Sequence, residues 1–356
     1  MLWSRPRSLP DLCTDLATAT LELDERASTK AFRAIVQQVP QASPADLTEG
    51  VTRFVPALDQ VALGNGGMLA QLTAGMIETG ADPVPVLDVL VDRVAEGLEL
   101  AARFIPVANR LGDGLAAPTG ADEARALFAQ VGRVAPEVGL DTGEAEAAAQ
   151  AWFTVNDWIP SLLLPLQQKR GRDALPQRER LTAATAEVTE HVDDASWLLG
   201  LLLVLDDEPL VVLHRESERG YAMTIGGIGD NFQLHTLLAA TLIGDPAQGF
   251  IPGERPRPAW IAAATEGEPQ PPGGIRGQFN LVDATGEWIW NEGRPADIPL
   301  AGERRVIVLD PPPYQRSWNL GRSYPLLVPE IRIDRVLPPD EAAGWLSRVA
   351  PGKRMG

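Results

Sequence analysis

The 356-residue chain contains one cysteine, three histidines and three lysines, and each scarcity closes off a class of chemistry. A single cysteine, Cys13, permits no intramolecular disulfide and no thiolate cage for a metal. It lies within an apolar helical pattern, where a buried thiol is inert. The histidines, His191, His214 and His235, form no HxxxH pair, and no CxxC occurs. GxSxG, GxGxxG, GxxxxGK[ST] and kinase strings are absent as well, so no hydrolase triad or dinucleotide fingerprint is expected. Lysine is confined to Lys30, Lys169 and Lys353, and arginine carries the remaining positive charge.

Long apolar runs are also missing. The longest, Trp197 to Leu205, is interrupted by Gly200 and falls well short of the roughly twenty residues a membrane helix needs. The start, MLWSRPRSLPDL, is basic but has no continuous apolar stretch, so no signal peptide is expected. A soluble, cytoplasmic protein is the expectation. A formal net charge of −17 repels phosphates and anionic lipids, which excludes nucleic acid and membrane surfaces as expected partners. The local run Lys169, Arg170 and Arg172 sits between Pro165 and Pro176 and reads as a solvated loop.

What is present is 45% hydrophobic residues, enough for a large core, over a length that favours two domains. The predicted fold class is α+β. Residues 1–205 form a helical, bundle-like domain, and residues 206–356 form a smaller mixed domain with antiparallel hairpins. In the first part, Leu9, Leu12, Leu16 and Leu23 recur at helical spacing. So do Leu47, Val51, Phe54, Val55, Leu58 and Val61, and then Leu87, Leu90, Val91, Val94, Leu98, Ala101 and Ile105. Further helices are expected at 68–79, after a Gly64–Gly67 break, and at 123–131, 144–158 and 178–205.

The pattern changes at Pro209–Gly244. Apolar PLVVLH, a polar turn and YAMTI read as a hairpin, and GGIGDN then leads into a helix carrying His235. From 245 to 274 the density of Pro246, Pro252, Pro256, Pro258, Pro269, Pro271 and Pro272 forbids long regular elements. Within that lid or linker, only 260–264 is expected to pair as a short strand. A second hairpin is expected at 278–291, with strands at 304–309 and 330–336 and a last helix at 341–349.

Several constellations carry candidate chemistry. Gly226, Gly227 and Gly229 precede a helix capped by Asp230 or Asn231, where free N–H groups can receive a phosphate or carboxylate. The plainer reading is a tight strand-to-helix turn. His235 lies in the first turns of that helix, whereas His214 is expected at the far end of the hairpin, near Tyr221. Glu187, His191 and Asp194 would share one helical face, a row able to hold a divalent ion only if another helix added ligands. Trp288 and Trp290 alternate on one face of the second hairpin, with Phe279 and Leu281 expected beside them. Paired tryptophans can stack a sugar, base or proline ring, or pack a core. In the loop DPPPYQRSWNLGRSY, Tyr314, Arg316, Trp318 and Arg322 have the composition of a protein-binding hot spot.

That loop follows the strand RVIVL, and Asp310-Pro311-Pro312-Pro313-Tyr314 resembles the D-P-P-Y signature of S-adenosylmethionine-dependent amino-methyltransferases. The resemblance implies that Asp310 and the prolines hold a target amine and that Tyr314 stacks on a base. An extra proline separates Asp310 from Tyr314, and the upstream turn is GGIGDN. Two functions are therefore expected. The first is a non-enzymatic protein that binds a protein or peptide partner through Tyr314, Arg316, Trp318 and Arg322. The alternative is a transferase using S-adenosylmethionine, with its pocket between the Gly226–His235 turn and the Asp310–Tyr314 loop.

Overall fold

A computed structural model describes residues 7–112, 115–267 and 273–353. The fold is α+β. One compact unit runs to Leu166 and includes Arg170–Leu202, and the other comprises Gln167–Lys169 and the chain from Leu203 onward. Among the described residues, no helix is long and apolar enough to cross a membrane.

The helical unit buries the predicted stripes: Leu9, Leu12 and Leu16 in helix Leu9–Leu21, Leu47 to Leu58 in helix Pro44–Gln60, and Leu87 to Ala101 in helix Val84–Leu111. Ser8, Ser43 and Asp141 start helices by accepting a backbone N–H from the first turn, satisfying a donor the helix cannot. Leu23 falls outside the stripe, with a left-handed φ of 57° and an exposed side chain. A helix at Glu25–Gln38 was not evident in the sequence, because its buried stripe is only Ala31 and Ile35.

Two helices depart from expectation for physical reasons. Gly64–Gly67 does not break the chain but opens helix Leu63–Thr79. A Cβ at Gly66 would lie 2.1 Å from the indole of Trp158, which is fully buried and donates its Nε1–H to the Leu63 carbonyl at 2.8 Å. Each helical glycine costs about 1 kcal/mol relative to alanine. Burying an indole returns about 4–6 kcal/mol at 25 cal/mol per Å² over 150–250 Å². Packing therefore outweighs propensity. The helix expected over 178–205 is instead two, Arg178–Val188 and Ala195–Leu202. Between them the polar TEHVDD run turns, with the Val188 carbonyl accepting from both His191 and Val192.

In the second unit the strands are β1 (Glu208–His214), β2 (Arg219–Gly226), β3 (Ile275–Arg276), β4 (Asn280–Val282), β5 (Leu300–Ala301), β6 (Arg304–Asp310), β7 (Ser317–Trp318) and β8 (Glu330–Val336). The main sheet has the order β4-β6-β1-β2-β8, with β5 paired to β6, and β3 pairs with β7 separately. β1 and β6 run parallel at its centre, Leu210 opposite Arg305 and His214 opposite Leu309. Their alternate residues enter different cores. Leu210, Val212, Ile307 and Leu309 pack with Leu234, Leu238 and Leu242 of helix Asn231–Leu242. Val211, Leu213, Val306 and Val308 pack with Leu337 and with Ala342 of helix Pro339–Leu346. Burial on both faces is why these strands read as unbroken apolar runs. The edge strand β8 carries Glu330, Arg332, Asp334 and Arg335, charges that discourage pairing with another chain.

The stretch expected to pair as a strand at 260–264 is helical, Pro258–Thr265. Pro258 occupies the first turn, where its fixed φ suits a helix, and Trp260, Ala263 and Ala264 are buried. Pro269, Pro271 and Pro272 of the proline-rich excursion lie outside the described residues. The Lys169–Arg172 run is no open basic patch: Lys169 pairs with Asp207, Arg170 with Asp82, and Arg172 is buried.

The two glycines of helix Leu63–Thr79 separate packing from propensity. Gly66→Ala should lower the unfolding free energy by about 1–3 kcal/mol through overpacking against Trp158. Gly75, beside open space in the same helix, should gain about 0.5–1 kcal/mol as alanine. Urea unfolding followed by circular dichroism checks both, and equal effects from the two variants would contradict this packing.

Candidate functional site

The parallel strands β1 and β6 end side by side, and the residues just past them build a cavity of about 640 Å³. Arg215 follows β1 and Asp310 ends β6. Arg215 Nε donates to Asp310 Oδ1 at 2.7 Å, and its Nη2 donates to the Ala350 carbonyl at 3.0 Å. Asn280 of β4 lies directly across from Asp310. The cavity is completed by Trp288, by Pro311, Pro313 and Tyr314, and by Pro351, Gly352 and Lys353. The C-terminal segment is stitched to the turn of the second hairpin. Ala350 and Lys353 donate their N–H groups to the carbonyls of Ala284 and Gly286, and Trp288 Nε1 donates to the Lys353 carbonyl at 2.7 Å.

Two polar groups at this cavity are unspent. Asp310 Oδ2 has no hydrogen-bond partner among the described residues. A Cβ at Gly352 would sit 2.7 Å from it, so glycine there keeps the oxygen clear. The Asn280 carboxamide likewise has no partner among the described residues. The formal charges are matched, Arg215 with Asp310 and Lys353 with Glu287. Beside them three rings stand in series: Tyr314 to Trp288 at 6.4 Å between centroids, and Trp288 to Trp290 at 5.6 Å. The outer two are well exposed, Tyr314 at 45% and Trp290 at 52%. Trp288 and Trp290 do share a face, their rings 5.6 Å apart, but the residue across the ladder from Trp288 is Val282. Phe279 and Leu281 pack on the opposite side with Ile289.

The remaining residues of the DPPPYQRSWNLGRSY loop turn inward. Arg316 Nη2 donates to the Phe279 carbonyl at 2.9 Å. Trp318 lies 5.0 Å from the His235 ring and 5.6 Å from Phe232. Arg322 is buried and donates to the carbonyls of Thr265, Gly267 and Pro325, placing its charge at the C-terminal end of helix Pro258–Thr265. Of the expected hot spot, Tyr314 faces the cavity, while Arg316, Trp318 and Arg322 fasten the loop to the body.

His235 is likewise committed to structure. Its Nε2 faces the N–H groups of Gln278 and Phe279 at 3.3 and 3.4 Å, so the ring proton belongs on Nδ1, towards Asn291. Full burial, helped by the neighbouring Arg316, pushes its pKa down to about 3. A neutral ring whose lone pair is already engaged is no general base. The rings of His214 and His235 flank Phe279, at 5.9 and 6.0 Å. They are therefore not at opposite ends of the first hairpin as expected. His214 pairs with Arg219, not Tyr221, and the helix carries His235 back across the sheet.

The glycine turn offers no anion site. Gly227 has φ +61°, and a Cβ on it would lie 2.1 Å from the Val328 carbonyl oxygen. Gly227 N–H donates to Leu205, Gly229 N–H to the Gln233 side chain, and Asn231 and Phe232 N–H to Gly293 and Asn291. Gln233 N–H is taken by Asp230, whose carboxylate also accepts from Ser323 and whose pKa is raised by burial. Gly226 and Asp310 stand at opposite ends of the sheet. Gly226 sits beyond Ile225, which faces Glu208, whereas Asp310 sits beyond Leu309, which faces His214. That separates them by roughly 26 Å along the strands at 3.3 Å per residue. The expected pocket joining them does not form, and the arrangement implied by the D-P-P-Y resemblance is not assembled.

Glu187 ends up in a helix but His191 and Asp194 in the turn after it, so they do not share a helical face. His191 instead lies 5.8 Å from the Trp152 ring. Among the described residues no three His, Cys, Asp or Glu side chains are grouped to hold a metal. The helical unit has a larger cavity, about 1140 Å³, between helices Ala121–Val134 and Thr142–Thr154. Its lining mixes glycine and alanine with the polar side chains of Asn65, Arg125, Arg133, Glu146 and Gln150.

Arg215, Asn280 and Lys353 were not singled out in the sequence, since no motif marks them. The available signal was position: Arg215 and Asp310 each end an apolar run, and parallel strands build sites at their C-terminal ends. Comparison with known proteins finds no matching family model, no similar curated protein and no similar solved structure.

Because His235 is neutral when folded and protonates near pH 6.5 when unfolded, its contribution is complete above pH 6.5. It falls away as pH drops from 6.5 towards 3. The expected slope from this residue is up to about 1.4 kcal/mol per pH unit. His235→Gln, which keeps an acceptor, should flatten that part of the stability–pH curve. Parallel curves for the two proteins would show that His235 is not the acid-labile group.

Proposed function

We propose that the protein is a non-enzymatic binding protein that receives a peptide segment of a partner at the cavity between Asp310, Asn280, Trp288 and Tyr314. The observation that carries this reading is the exposed series Tyr314–Trp288–Trp290 beside two unspent polar groups. Exposed aromatic rings next to an apolar cleft are the usual anchors of protein recognition, contributing large contact area at small entropic cost. The titratable groups lining the cleft support binding over catalysis. Asp310 is tied to Arg215 and Lys353 to Glu287, and neither histidine flanking Phe279 is among the lining residues. The transferase reading drew on a pocket spanning the glycine turn and Asp310, and those lie at opposite ends of the sheet.

The binding site is expected to include Tyr314 and Trp290 but not Trp318. With a peptide ligand selected from a random display library, Tyr314→Ala and Trp290→Ala should each weaken binding at least tenfold, about 1.4 kcal/mol. Both rings are exposed, so the melting temperature should stay within about a degree of the parent protein. Calorimetric titration with thermal unfolding checks this. Full affinity in both variants would remove the cleft from the account.

A further inference from the structure

We infer that the partner segment anchors in this cavity through a primary carboxamide side chain, glutamine or asparagine, an inference that rests on the peptide-binding reading. Asn280 and Asp310 stand directly opposite one another on antiparallel β4 and β6. Residues so placed share a face of the sheet, with Cβ atoms about 5 Å apart. The neighbouring pair on that face, Val282 and Val308, packs into the core, and the polar pair beyond it lines the cavity. Asn280 is only 5% exposed, yet its carboxamide has no partner among the described residues. A buried amide left unpaired is costly, and a ligand that pairs with it removes that cost.

The donors and acceptors on offer define the ligand group. Asp310 spends Oδ1 on Arg215 and keeps Oδ2 as an acceptor. Gly352 leaves the approach open, since a Cβ there would lie 2.7 Å from that oxygen. Asn280 adds one acceptor, its carbonyl, and one donating nitrogen. The complement of this set is a planar group with two N–H bonds on one nitrogen and a carbonyl oxygen beside it. A primary carboxamide is such a group. Edge to edge with Asn280 it gives one N–H and accepts another, and its second N–H is left for Asp310 Oδ2.

Charge excludes the alternatives. Lysine and arginine side chains are donors only, so the Asn280 nitrogen would stay unmatched. They would also bring a third cation beside Arg215 and Lys353. A glutamate or aspartate side chain has no donor and would face Asp310. Arg215 and Asp310 are partly buried, at 31% and 14% side-chain exposure, and Lys353 is matched by Glu287. Separating a partly buried pair to seat a ligand charge strands one partner. A neutral carboxamide leaves both pairs intact, and Trp288 and Pro313 offer apolar surface to its methylene stem.

The test uses the full chain and pools of seven-residue peptides, read by fluorescence polarisation. Each pool carries an N-terminal dye, a C-terminal N-methylamide and a fixed central residue, with flanks randomised over every residue except Asn and Gln. The central residue is Gln, Asn, Met, Glu, Lys or Arg. The Gln pool, the Asn pool or both should bind at least tenfold more tightly than the other four, and the ratio of the two distinguishes the sources. Asn280→Ala and Gly352→Ala should each cut that preference to less than threefold. Both variants should keep the parent far-ultraviolet spectrum, because Asn280 gives up no partner and the Gly352 backbone is not left-handed. If Gly352→Ala misfolds, Asn280→Ala alone decides. A Met, Glu, Lys or Arg pool that binds as tightly, or a carboxamide preference that survives in a folded variant, overturns the carboxamide assignment. Peptide binding at the cleft then stands if Tyr314→Ala still weakens the tightest pool at least tenfold. If no pool binds, both are overturned.

Discussion

The second unit depends on one pairing, the parallel contact between β1 and β6. Leu210 to Leu213 and Val306 to Leu309 are all at most 3% exposed, and together they feed two cores on opposite faces of one sheet. Each fully buried aliphatic side chain is worth about 1.5–3 kcal/mol, so this double burial sets the position of everything attached to the strands. The attached residues include the polar pair that follows. A strand covered on both faces can turn polar only where it leaves the sheet. Arg215 and Asp310 are therefore placed together by the same constraint that buries the eight residues before them.

The two faces of the sheet have divided the work. On the face of helix Asn231–Leu242, polar side chains are spent internally: His235 holds the Gln278–Phe279 backbone, Asp230 caps the helix, and Arg316 and Arg322 bind carbonyls. Some of that network is not closed, since His235 Nδ1, Asn291 Oδ1 and Trp318 Nε1 are buried with no hydrogen-bond partner. Such groups make the region sensitive to substitution, but they are walled off by aromatic rings. On the face of helix Pro339–Leu346 the balance is reversed. The C-terminal segment is hydrogen-bonded to the turn of the second hairpin, and the unspent groups border a cavity beside exposed rings.

Much of this architecture was legible in the chain. LVVL and VIVL announced central strands, the spacing of Leu87 to Ala101 announced a long helix, and Trp288 and Trp290 were recognisable as a pair on one face. What stayed hidden depended on distant partners. Gly66 reads as a helix breaker until Trp158 is placed against it, more than ninety residues away in the chain. Arg316, Trp318 and Arg322 read as an exposed hot spot because their partners, Phe279, His235 and the end of helix Pro258–Thr265, belong to other segments. The cleft was half visible, through Asp310 and Tyr314. Its other half was silent, because Arg215 becomes meaningful only once β1 is known to run parallel to β6.

The central claim is that ligand enters at the hairpin of Trp288 and Trp290 and not at the buried cluster around His235. The indole N–H resonances of the nine tryptophans report this directly during titration with a bound peptide. The account predicts that the signals of Trp288 and Trp290 move while those of Trp318, Trp260 and Trp158 stay in place. Movement of Trp318 with Trp290 unchanged would contradict it, and would put the ligand on the other face of the sheet.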